Sequence, residues 1–318
     1  MRQRGRQICK PCMPDNAAQH LRLARALVWL VPALWSVNYI IARLANGVIG
    51  PYLLALGRWA IAGAVLVILA RSELWRQRQT LWRDAWQFLV LGFLGMLVCG
   101  AWVYQGARST SATNIALIYA ASPVLIALGS ALWLHERMRL RQGIGVVLAL
   151  AGVTHVVVKG QWGALAQLAF VAGDMWIVAA TISWAAYALL QKKWPSPLGA
   201  TARLAAICVG GVVCLLPFTA WEIMGSDLTV WGWQALTFVV IAALVPGLGA
   251  YWIYGWAQKS LGASRVAVAL YLGPLYGGLA AWIILGEAPG WHHLAGAALI
   301  LPGVFLVTGA APSGGKSA

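Results

Sequence analysis

Few side chains in this 318-residue chain could carry acid–base chemistry, because acidic residues are scarce. Each of the eight lies in a tail, in a loop or at the end of an apolar run: Asp15, Glu73, Asp84, Glu136, Asp174, Glu222, Asp227 and Glu287. Glu136 and Glu287 end two similar segments, "YAASPVLIALGSALWLHE" and "LYLGPLYGGLAAWIILGE". Such carboxylates could serve as gate or proton-binding groups, or they could accept hydrogen bonds at the start of the next helix. Asp174 allows the same two interpretations, as a span-edge gate residue or as the N-cap of the helix that follows it.

Arg58 is the cation best placed to meet a solute. It follows Pro51 by seven residues, which is about 10 Å along a helix that rises 1.5 Å per residue. Its side chain could extend back to the membrane surface, or it could bind the carboxylate of a substrate through two parallel hydrogen bonds. Asn38 and Asn114 also fall within apolar runs, where an unpaired amide is costly. We expect each to bond to another helix or to line a cavity.

The residues needed for catalysis or for metal binding do not occur in a recognisable pattern. The five histidines show no ligand spacing beyond the adjacent pair His292 and His293, and the CxxC of Cys9 and Cys12 stands alone in a basic tail. A structural zinc site would need two further ligands nearby. The sequence has no HExxH and no GxSxG motif. We therefore predict that the protein is not an enzyme and has no catalytic residue, bound metal or cofactor.

The composition indicates which solvent surrounds the chain. Hydrophobic residues make up 61% of it, charged residues 10%, and the mean hydropathy is +0.75, whereas soluble domains carry about 25% charged residues. A membrane span needs about 20 apolar residues as a helix, and the absence of period-two alternation argues against a β-barrel. We predict an all-α polytopic membrane protein with ten transmembrane helices, over residues 27–45, 51–70, 85–105, 111–134, 140–158, 173–191, 200–221, 234–257, 265–285 and 291–310.

The positions of the 23 lysines and arginines, which give the chain a net charge of +15, predict its orientation in the membrane. Lysines and arginines fall in short clusters between apolar runs, as the positive-inside rule requires, and not on one soluble face, as nucleic-acid binding would require. Most of them lie on one side if both termini are cytoplasmic. We predict a basic cytoplasmic tail over residues 1–26, a second tail over 311–318, and location in the bacterial inner (plasma) membrane. The expected partners are the lipid bilayer and a small-molecule substrate, with no nucleic acid.

The chain also contains an internal repeat. When Pro123 is aligned with Pro274, further residues match without a gap: Ser109 with Ser260, Ala112 with Ala263, Glu136 with Glu287, Gly145 with Gly296, and Gly152 with Gly303. Residues 27–158 and 173–310 would each hold five spans. Because five is odd, equivalent helices would cross the membrane in opposite directions. Two such inverted halves are the architecture of carriers that open alternately to either side.

Several segments of the chain resemble one known family. They are "LWSVNYIIARL", "GPYLLALGRWAIAG", "SPVLIALGSALWLHE", "LGPLYGGLAAWIILGE" and "GDMWIVAATISWAAYALLQKK". Together they resemble the EamA-type transporters of the drug/metabolite transporter (DMT) superfamily, over about residues 25–310. The resemblance implies transport of a small metabolite, such as an amino acid, an amine or a related solute, most often as efflux. It also implies a central cavity walled by the first, third, fourth, sixth, eighth and ninth helices.

Candidate residues for that cavity follow from the resemblance and from side-chain type. Together with Arg58 they are Trp35, Asn38, Trp102, Asn114, Tyr119, Trp184, Tyr187, Trp252, Tyr254 and Tyr271. Aromatic walls suit apolar, aromatic or cationic solutes, although tryptophan and tyrosine also gather at membrane interfaces.

Other classes of function remain open at this point. A channel, a membrane scaffold and, less readily, an intramembrane enzyme are the alternatives to a carrier. No acidic residue lies deep inside a predicted span, where a charge would be functional by default. Transport would therefore be driven by the gradient of the substrate alone, or it would be coupled to a proton through a carboxylate at the edge of a span.

Overall fold

The computed structural model describes residues 22–133, 135, 138–163, 171–225, 232–261 and 272–308, and these residues form helices and no strand. The helices are α1 (Arg22–Leu44), α2 (Pro51–Arg76), α3 (Ala85–Gly106), α4 (Ala112–Trp133), α5 (Leu140–Val157), α6 (Ala172–Lys193), α7 (Ala200–Gly225), α8 (Trp233–Ala257), α9 (Gly273–Leu285) and α10 (Trp291–Thr308). A short helix, Arg78–Arg83, joins α2 to α3. Glu136, Tyr271 and residues 1–21 and 311–318 of the predicted tails lie outside the described residues.

Helices α1 to α8 are each long and apolar enough to cross a membrane, whereas α9 and α10 are apolar but shorter. Large apolar side chains such as Leu69, Val147 and Ile283 are mostly exposed on the surface of the bundle. A surface with so many exposed apolar side chains is stable in contact with lipid, but it would be unfavourable in water. The prediction of a polytopic helical membrane protein is therefore confirmed. That there are ten spans in two inverted halves stays a prediction.

Helices α2 and α7 cap each other. The Glu222 carboxylate at the end of α7 accepts hydrogen bonds from the backbone N–H groups of Tyr52, at 3.2 Å, and Leu53, at 2.8 Å, in the first turn of α2. The Glu73 carboxylate near the end of α2 accepts one from the Gly199 N–H, at 2.6 Å, just before α7 begins. These N–H groups have no partner within their own helix, so a carboxylate there stabilises the helix start. The two contacts lie at opposite ends, so α2 and α7 run antiparallel.

Helices α5 and α10 pack through glycines. A Cβ atom built on Gly145 would lie 2.5 Å from the Gly303 carbonyl oxygen, and one built on Gly152 would lie 2.9 Å from the Gly296 carbonyl oxygen. The backbones therefore touch at both levels, as small residues allow in membranes. Because the earlier glycine of one helix meets the later glycine of the other, α5 and α10 also run antiparallel.

Helices α3 and α8 each contain a π-helical segment, Phe93–Ala101 in α3 and Ala243–Gly249 in α8. A π-helical turn holds more residues than an α-helical turn and is often found at functional sites. Both segments approach α2. A Cβ atom on Gly100 would lie 3.0 Å from the Trp59 indole nitrogen, and one on Gly247 would lie 3.7 Å from the Ala62 Cβ.

Gly286 ends α9 in the left-handed conformation, with φ of 70°. Its N–H donates to the Trp282 carbonyl oxygen, the bond of an αL C-cap motif, and the Glu287 N–H donates to the Ala281 carbonyl oxygen. This turn sets the direction in which the Glu287 side chain leaves the helix.

We expect Gly286→Ala to lower the free energy of unfolding by about 1–2 kcal/mol, because an L-residue is strained at this φ. Gly255→Ala in α8 is the matched control, since an added Cβ meets nothing within 4 Å at either position and only Gly286 has a positive φ. The control should be neutral or slightly stabilising. Unfolding by sodium dodecyl sulfate, followed by tryptophan fluorescence, measures both. Equal effects of the two substitutions would contradict this account of Gly286.

Candidate functional site

Arg58 lies buried in α2, with 5% of its surface exposed. Its Nη1 group donates to the Asn38 Oδ1 atom of α1 at 2.8 Å and to the Tyr104 hydroxyl oxygen of α3 at 3.1 Å. The Tyr104 hydroxyl in turn donates to Asn38 Oδ1 at 2.7 Å. The guanidinium carbon lies 4.4 Å from the centre of the Trp59 ring. These four residues, here named the Arg58 cluster, hold the guanidinium inside the bundle, so the side chain does not extend to the membrane surface.

No carboxylate pairs with Arg58 among the described residues. The ion pairs found there are Arg43 with Glu287 and Arg83 with Asp84. The Nε atom of Arg58 is buried without a hydrogen-bond partner. A buried charge that lacks a counter-charge is costly, and the Nε side of a guanidinium is one of its two-pronged edges for carboxylates. The cluster can therefore stabilise an anion that reaches it.

Aromatic rings continue from the Arg58 cluster into the bundle. The Tyr251 ring lies 6.3 Å from the Trp59 ring and 5.7 Å from the Trp35 ring, and Trp35 in turn lies 5.4 Å from Tyr254. The Tyr39 ring, one helical turn after Trp35 on α1, lies 6.3 Å from the Tyr119 ring. The Tyr39, Tyr119 and Tyr251 rings are only partly buried although they pack against the main core. They therefore offer accessible aromatic surface inside the bundle.

A second polar cluster surrounds Asp174, whose surface is fully buried. Its Oδ1 atom accepts hydrogen bonds from the Thr110 hydroxyl and, at 3.0 Å, from the Asn114 amide nitrogen. The Asn114 amide oxygen lies 2.9 Å from His293 Nε2. The Oδ2 atom of Asp174 has no hydrogen-bond partner. These four residues, here named the Asp174 cluster, join α4, α6 and α10.

The interpretation of Asp174 as an N-cap is wrong. The N-cap residue of α6 is Val171, and Asp174 lies in the first turn of the helix. From that position its carboxylate points sideways to α4 and not back to the N–H groups of its own helix. The sequence indicated where α6 begins but could not indicate which helix would lie beside its first turn.

Glu287 joins three parts of the chain. Its Oε1 atom pairs with Arg43 Nε of α1 at 2.7 Å, and its Oε2 atom accepts from the Ala112 N–H at the start of α4 at 2.8 Å. Arg43 Nη1 also donates to the carbonyl oxygen of Ala107, after α3, at 2.6 Å. The helix start that Glu287 stabilises is thus that of α4, and not that of the next helix in the sequence.

We expect Arg43→Gln and Glu287→Gln to be coupled by about 0.5–1 kcal/mol in a double-mutant cycle of unfolding free energies, since the pair is only partly shielded from solvent. Glu287→Gln alone should cost more than Arg43→Gln, because it also removes the charge at the first turn of α4. Arg83→Gln is the control, since 71% of the Arg83 side chain is exposed and its loss should be nearly neutral. Strictly additive effects at positions 43 and 287 would show that the pair contributes nothing.

The ring contacts of the other predicted cavity residues are with residues outside the two clusters. Trp102 packs edge-on against Trp176, with ring centres 5.0 Å apart, and Trp184 stacks on the buried Tyr187 ring at 5.1 Å. Trp252 is 81% exposed, and the structure does not bring it to either cluster. Among the described residues, no group of three histidine, cysteine or acidic side chains is close enough to hold a metal ion.

Several residues of the two clusters and of the adjoining aromatic rings were not identified as site residues from the sequence: Tyr39, Trp59, Tyr104, Thr110, Tyr251 and His293. Two of them carried a usable signal. Trp59 directly follows Arg58, and a buried guanidinium commonly stacks on an aromatic face. His293 belongs to the pair of histidines that was considered only as a metal ligand. The others become neighbours of Arg58 or Asp174 only through the packing of separate helices.

Comparisons with known proteins agree on one family. The EamA-like transporter family model matches residues 23–158 and again residues 171–309. An uncharacterised transporter of Bacillus subtilis, YyaM, is 26% identical over 86% of this chain and 89% of its own length. A probable terminal-alkyne amino-acid exporter of Streptantibioticus cattleyicolor is 27% identical over 90% and 94%. A probable amino-acid metabolite efflux pump of Salmonella typhimurium is 26% identical over 88% and 93%. A solved crystal structure has the same fold with a TM-score of 0.60 and 21% identity, over 90% of this chain and 96% of that one.

Proposed function

Because the chain belongs to the EamA-like transporter family, we propose that it exports a small solute with a carboxylate group, such as an amino acid or a related metabolite. The observation that carries the proposal is the buried Arg58 guanidinium without a carboxylate partner among the described residues. Two relatives named as an amino-acid exporter and as an amino-acid metabolite efflux pump support the choice of substrate class and direction.

The chemistry of the Arg58 cluster suits such a solute. A carboxylate would occupy the unpaired Nε side of Arg58, where two charge-assisted hydrogen bonds would offset the cost of removing both charges from water. The remainder of the solute would contact the accessible rings of Tyr39, Tyr119 and Tyr251. Aromatic faces bind both apolar groups and ammonium groups, so a zwitterion would find a partner for each of its ends.

The proposed mechanism is alternating access by two inverted halves, residues 27–158 and 173–310. Two separate matches of the family model support this division. Reciprocal contacts support the inversion: Glu73 meets the start of α7 while Glu222 meets the start of α2, and Gly145 meets Gly303 while Gly152 meets Gly296. A twofold relation requires such pairs, because if one residue contacts a second, their equivalents must do the same. In this scheme ten helices span the inner membrane and both termini are cytoplasmic.

Glu287 and Arg43 would form a gate on the outer side. They join the ends of α1 and α9 to the start of α4, and in the predicted topology these ends all face the outside. The pair would have to separate each time the cavity opens outward. No equivalent pair is proposed for the inner side, where Glu136 lies outside the described residues.

Counterflow in proteoliposomes tests the proposal. Vesicles are loaded with a mixture of unlabelled amino acids, and uptake of the same labelled amino acids is followed one at a time, together with matched amines that lack the carboxylate. We expect saturable uptake that requires solute inside, and none of the amines. Non-saturable flux that ignores the internal solute would indicate a channel, and no flux of any solute would favour a scaffold. Equal transport of the amino acids and of the matched amines would show that Arg58 does not bind the carboxylate of the substrate.

A further inference from the structure

We infer that Asp174 binds the proton that drives export, so that a proton moving inward is exchanged for each solute moving outward. The coupling step rests on the proposed function, whereas proton binding itself does not. In the predicted topology Asp174 lies at the outer end of α6. The proton would come from the outside water and form an O–H bond on the carboxylate. It would leave to the cytoplasm through the cavity between the two halves once that cavity has closed to the outside and opened inward. No electron transfer is involved.

The burial of Asp174 is the first observation that supports this inference. The residue has no exposed surface, and no arginine, lysine or histidine pairs with it among the described residues. An ionised carboxylate in such surroundings is costly unless hydrogen bonds or a counter-charge compensate it. Binding a proton removes the charge. A buried acid at the end of a membrane helix is thus suited to change its protonation when its surroundings change.

The two oxygen atoms of Asp174 differ, and the difference places the proton. Oδ1 accepts from both Thr110 and Asn114, so its lone pairs are engaged. Oδ2 is buried and meets no donor. A proton would therefore bind to Oδ2, the oxygen that no hydrogen bond stabilises in the charged form.

A chain of hydrogen bonds leads to the carboxylate. The Gly290 N–H donates to His293 Nδ1 at 2.8 Å, which assigns the ring proton to Nε2 in the neutral imidazole. Nε2 can then donate to the Asn114 amide oxygen, and the Asn114 amide nitrogen donates to Asp174 Oδ1. In each of these hydrogen bonds the donor lies on the side away from Asp174 and the acceptor on the side toward it. This series of hydrogen bonds therefore holds the carboxylate in place and adds no further charge.

Few ionisable groups face Asp174. Among the described residues they are Lys159 after α5, His292 and His293 at the start of α10 and, behind His292, His155. Lys159 is exposed to solvent, which weakens its attraction, and His293 is neutral in the hydrogen-bond chain described above. The neighbouring parts of α3 and α4 present the Gly106 carbonyl oxygen, Thr110 and Asn114, which do not titrate.

One helical segment connects the Asp174 cluster to the proposed gate of Glu287 and Arg43, and it also carries the aromatic ring of Tyr119. Ala112, whose N–H is held by Glu287, lies two residues before Asn114, and Tyr119 follows within the same segment, Ala112–Ala120. A change in the hydrogen bond between Asn114 and Asp174 would therefore act on the helix that carries both the contact with Glu287 and the Tyr119 ring, which lies 6.3 Å from the Tyr39 ring. This placement is what allows proton binding to affect solute binding.

Carbodiimide labelling tests proton binding without any substrate. Dicyclohexylcarbodiimide reacts with protonated carboxyl groups in apolar surroundings, and mass spectrometry of the labelled full-length protein locates the adduct. We expect an adduct on Asp174 that declines as pH rises, with none on the ion-paired Glu287. In Asn114→Leu, which removes one donor to the charged form, labelling should persist to a pH about one unit higher. The absence of a pH-dependent adduct on Asp174 would overturn the inference.

Proteoliposomes test the coupling. An inward proton gradient, with the outside more acidic, should accelerate the release of labelled amino acid about tenfold over vesicles without a gradient. In Asp174→Asn this ratio should fall to about one, whereas Asp84→Asn, in the loop before α3, should keep it. If wild-type counterflow occurs but the gradient has no effect, the coupling is refuted and the proposed function stands. If no amino acid is transported, the proposed function fails, and labelling alone decides whether Asp174 binds a proton.

Discussion

Replacing Arg58 with glutamine should reduce counterflow of amino acids by roughly a hundredfold, the largest effect that we expect from any single polar residue. The substitution removes the only part of the Arg58 cluster that can bind a carboxylate with a charge, and two charge-assisted hydrogen bonds account for a loss of this size. Folding should survive, because an unpaired buried charge is replaced by a neutral amide. Uptake of labelled amino acids by proteoliposomes that contain equal amounts of folded protein measures the effect.

Two further variants define the role of Arg58. Arg58→Lys keeps a charge but loses the planar two-pronged donor, so we expect an intermediate loss of about tenfold. Arg108→Gln is the control, because Arg108 is an exposed arginine near the end of α3 and its loss should leave transport unchanged. Wild-type transport of carboxylate-bearing solutes by Arg58→Gln would exclude this residue from the substrate site.

Replacing Gly145 with leucine should prevent the protein from folding into a stable bundle. Even the first added atom would lie 2.5 Å from the Gly303 carbonyl oxygen and 2.9 Å from the Leu306 Cβ, so α5 and α10 would have to separate along their length. Overpacking of this kind costs about 3 kcal/mol or more, which is a large part of the stability of a typical protein. We expect loss of the monodisperse peak in size-exclusion chromatography of the detergent-solubilised protein.

The same helix supplies a matched control for Gly145. An atom added to Gly143 meets nothing within 4 Å, so Gly143→Leu should give near-normal yield and stability. Gly303→Leu, on the facing helix, should be as damaging as Gly145→Leu, because its added atom would lie 2.7 Å from the Gly145 carbonyl oxygen. If Gly143→Leu and Gly145→Leu have equal effects, the contact between Gly145 and Gly303 does not hold α5 and α10 together.

The sequence was sufficient where an energetic cost depends on one residue or one run. Apolar runs of the length of a membrane predicted the positions of α1 to α8, because hydrocarbon leaves the backbone no alternative to a helix. The cost of an unpaired amide selected Asn38, the depth along the helix selected Arg58, and the structure places the two in one hydrogen-bonded cluster. The two belong together because each supplies what the other lacks, an acceptor for the cation and a donor for the amide oxygen.

The sequence was insufficient where the outcome depends on which helices become neighbours. One of the two interpretations of Glu287 was that it stabilises the start of the next helix along the chain, but it accepts a hydrogen bond at the start of α4. Trp102 and Trp252 were both predicted to line the cavity, yet Trp252 faces outward. Each of these tryptophans follows a π-helical segment, and the segments are nine and seven residues long. Because a π-helical turn changes the phase of the residues after it, aligned positions in α3 and α8 need not point the same way.

The mutual caps of Glu73 and Glu222 restrict how the bundle can move. Sliding α2 along α7 by one turn, about 5.4 Å, would break both caps at once and leave two carboxylates facing unpaired backbone at opposite ends. Rotations that keep the two helices together break neither contact. In the proposed mechanism α2 and α7 would therefore move as one rigid unit. Because Arg58 is part of α2, the surrounding helices would move relative to a cation that stays in place.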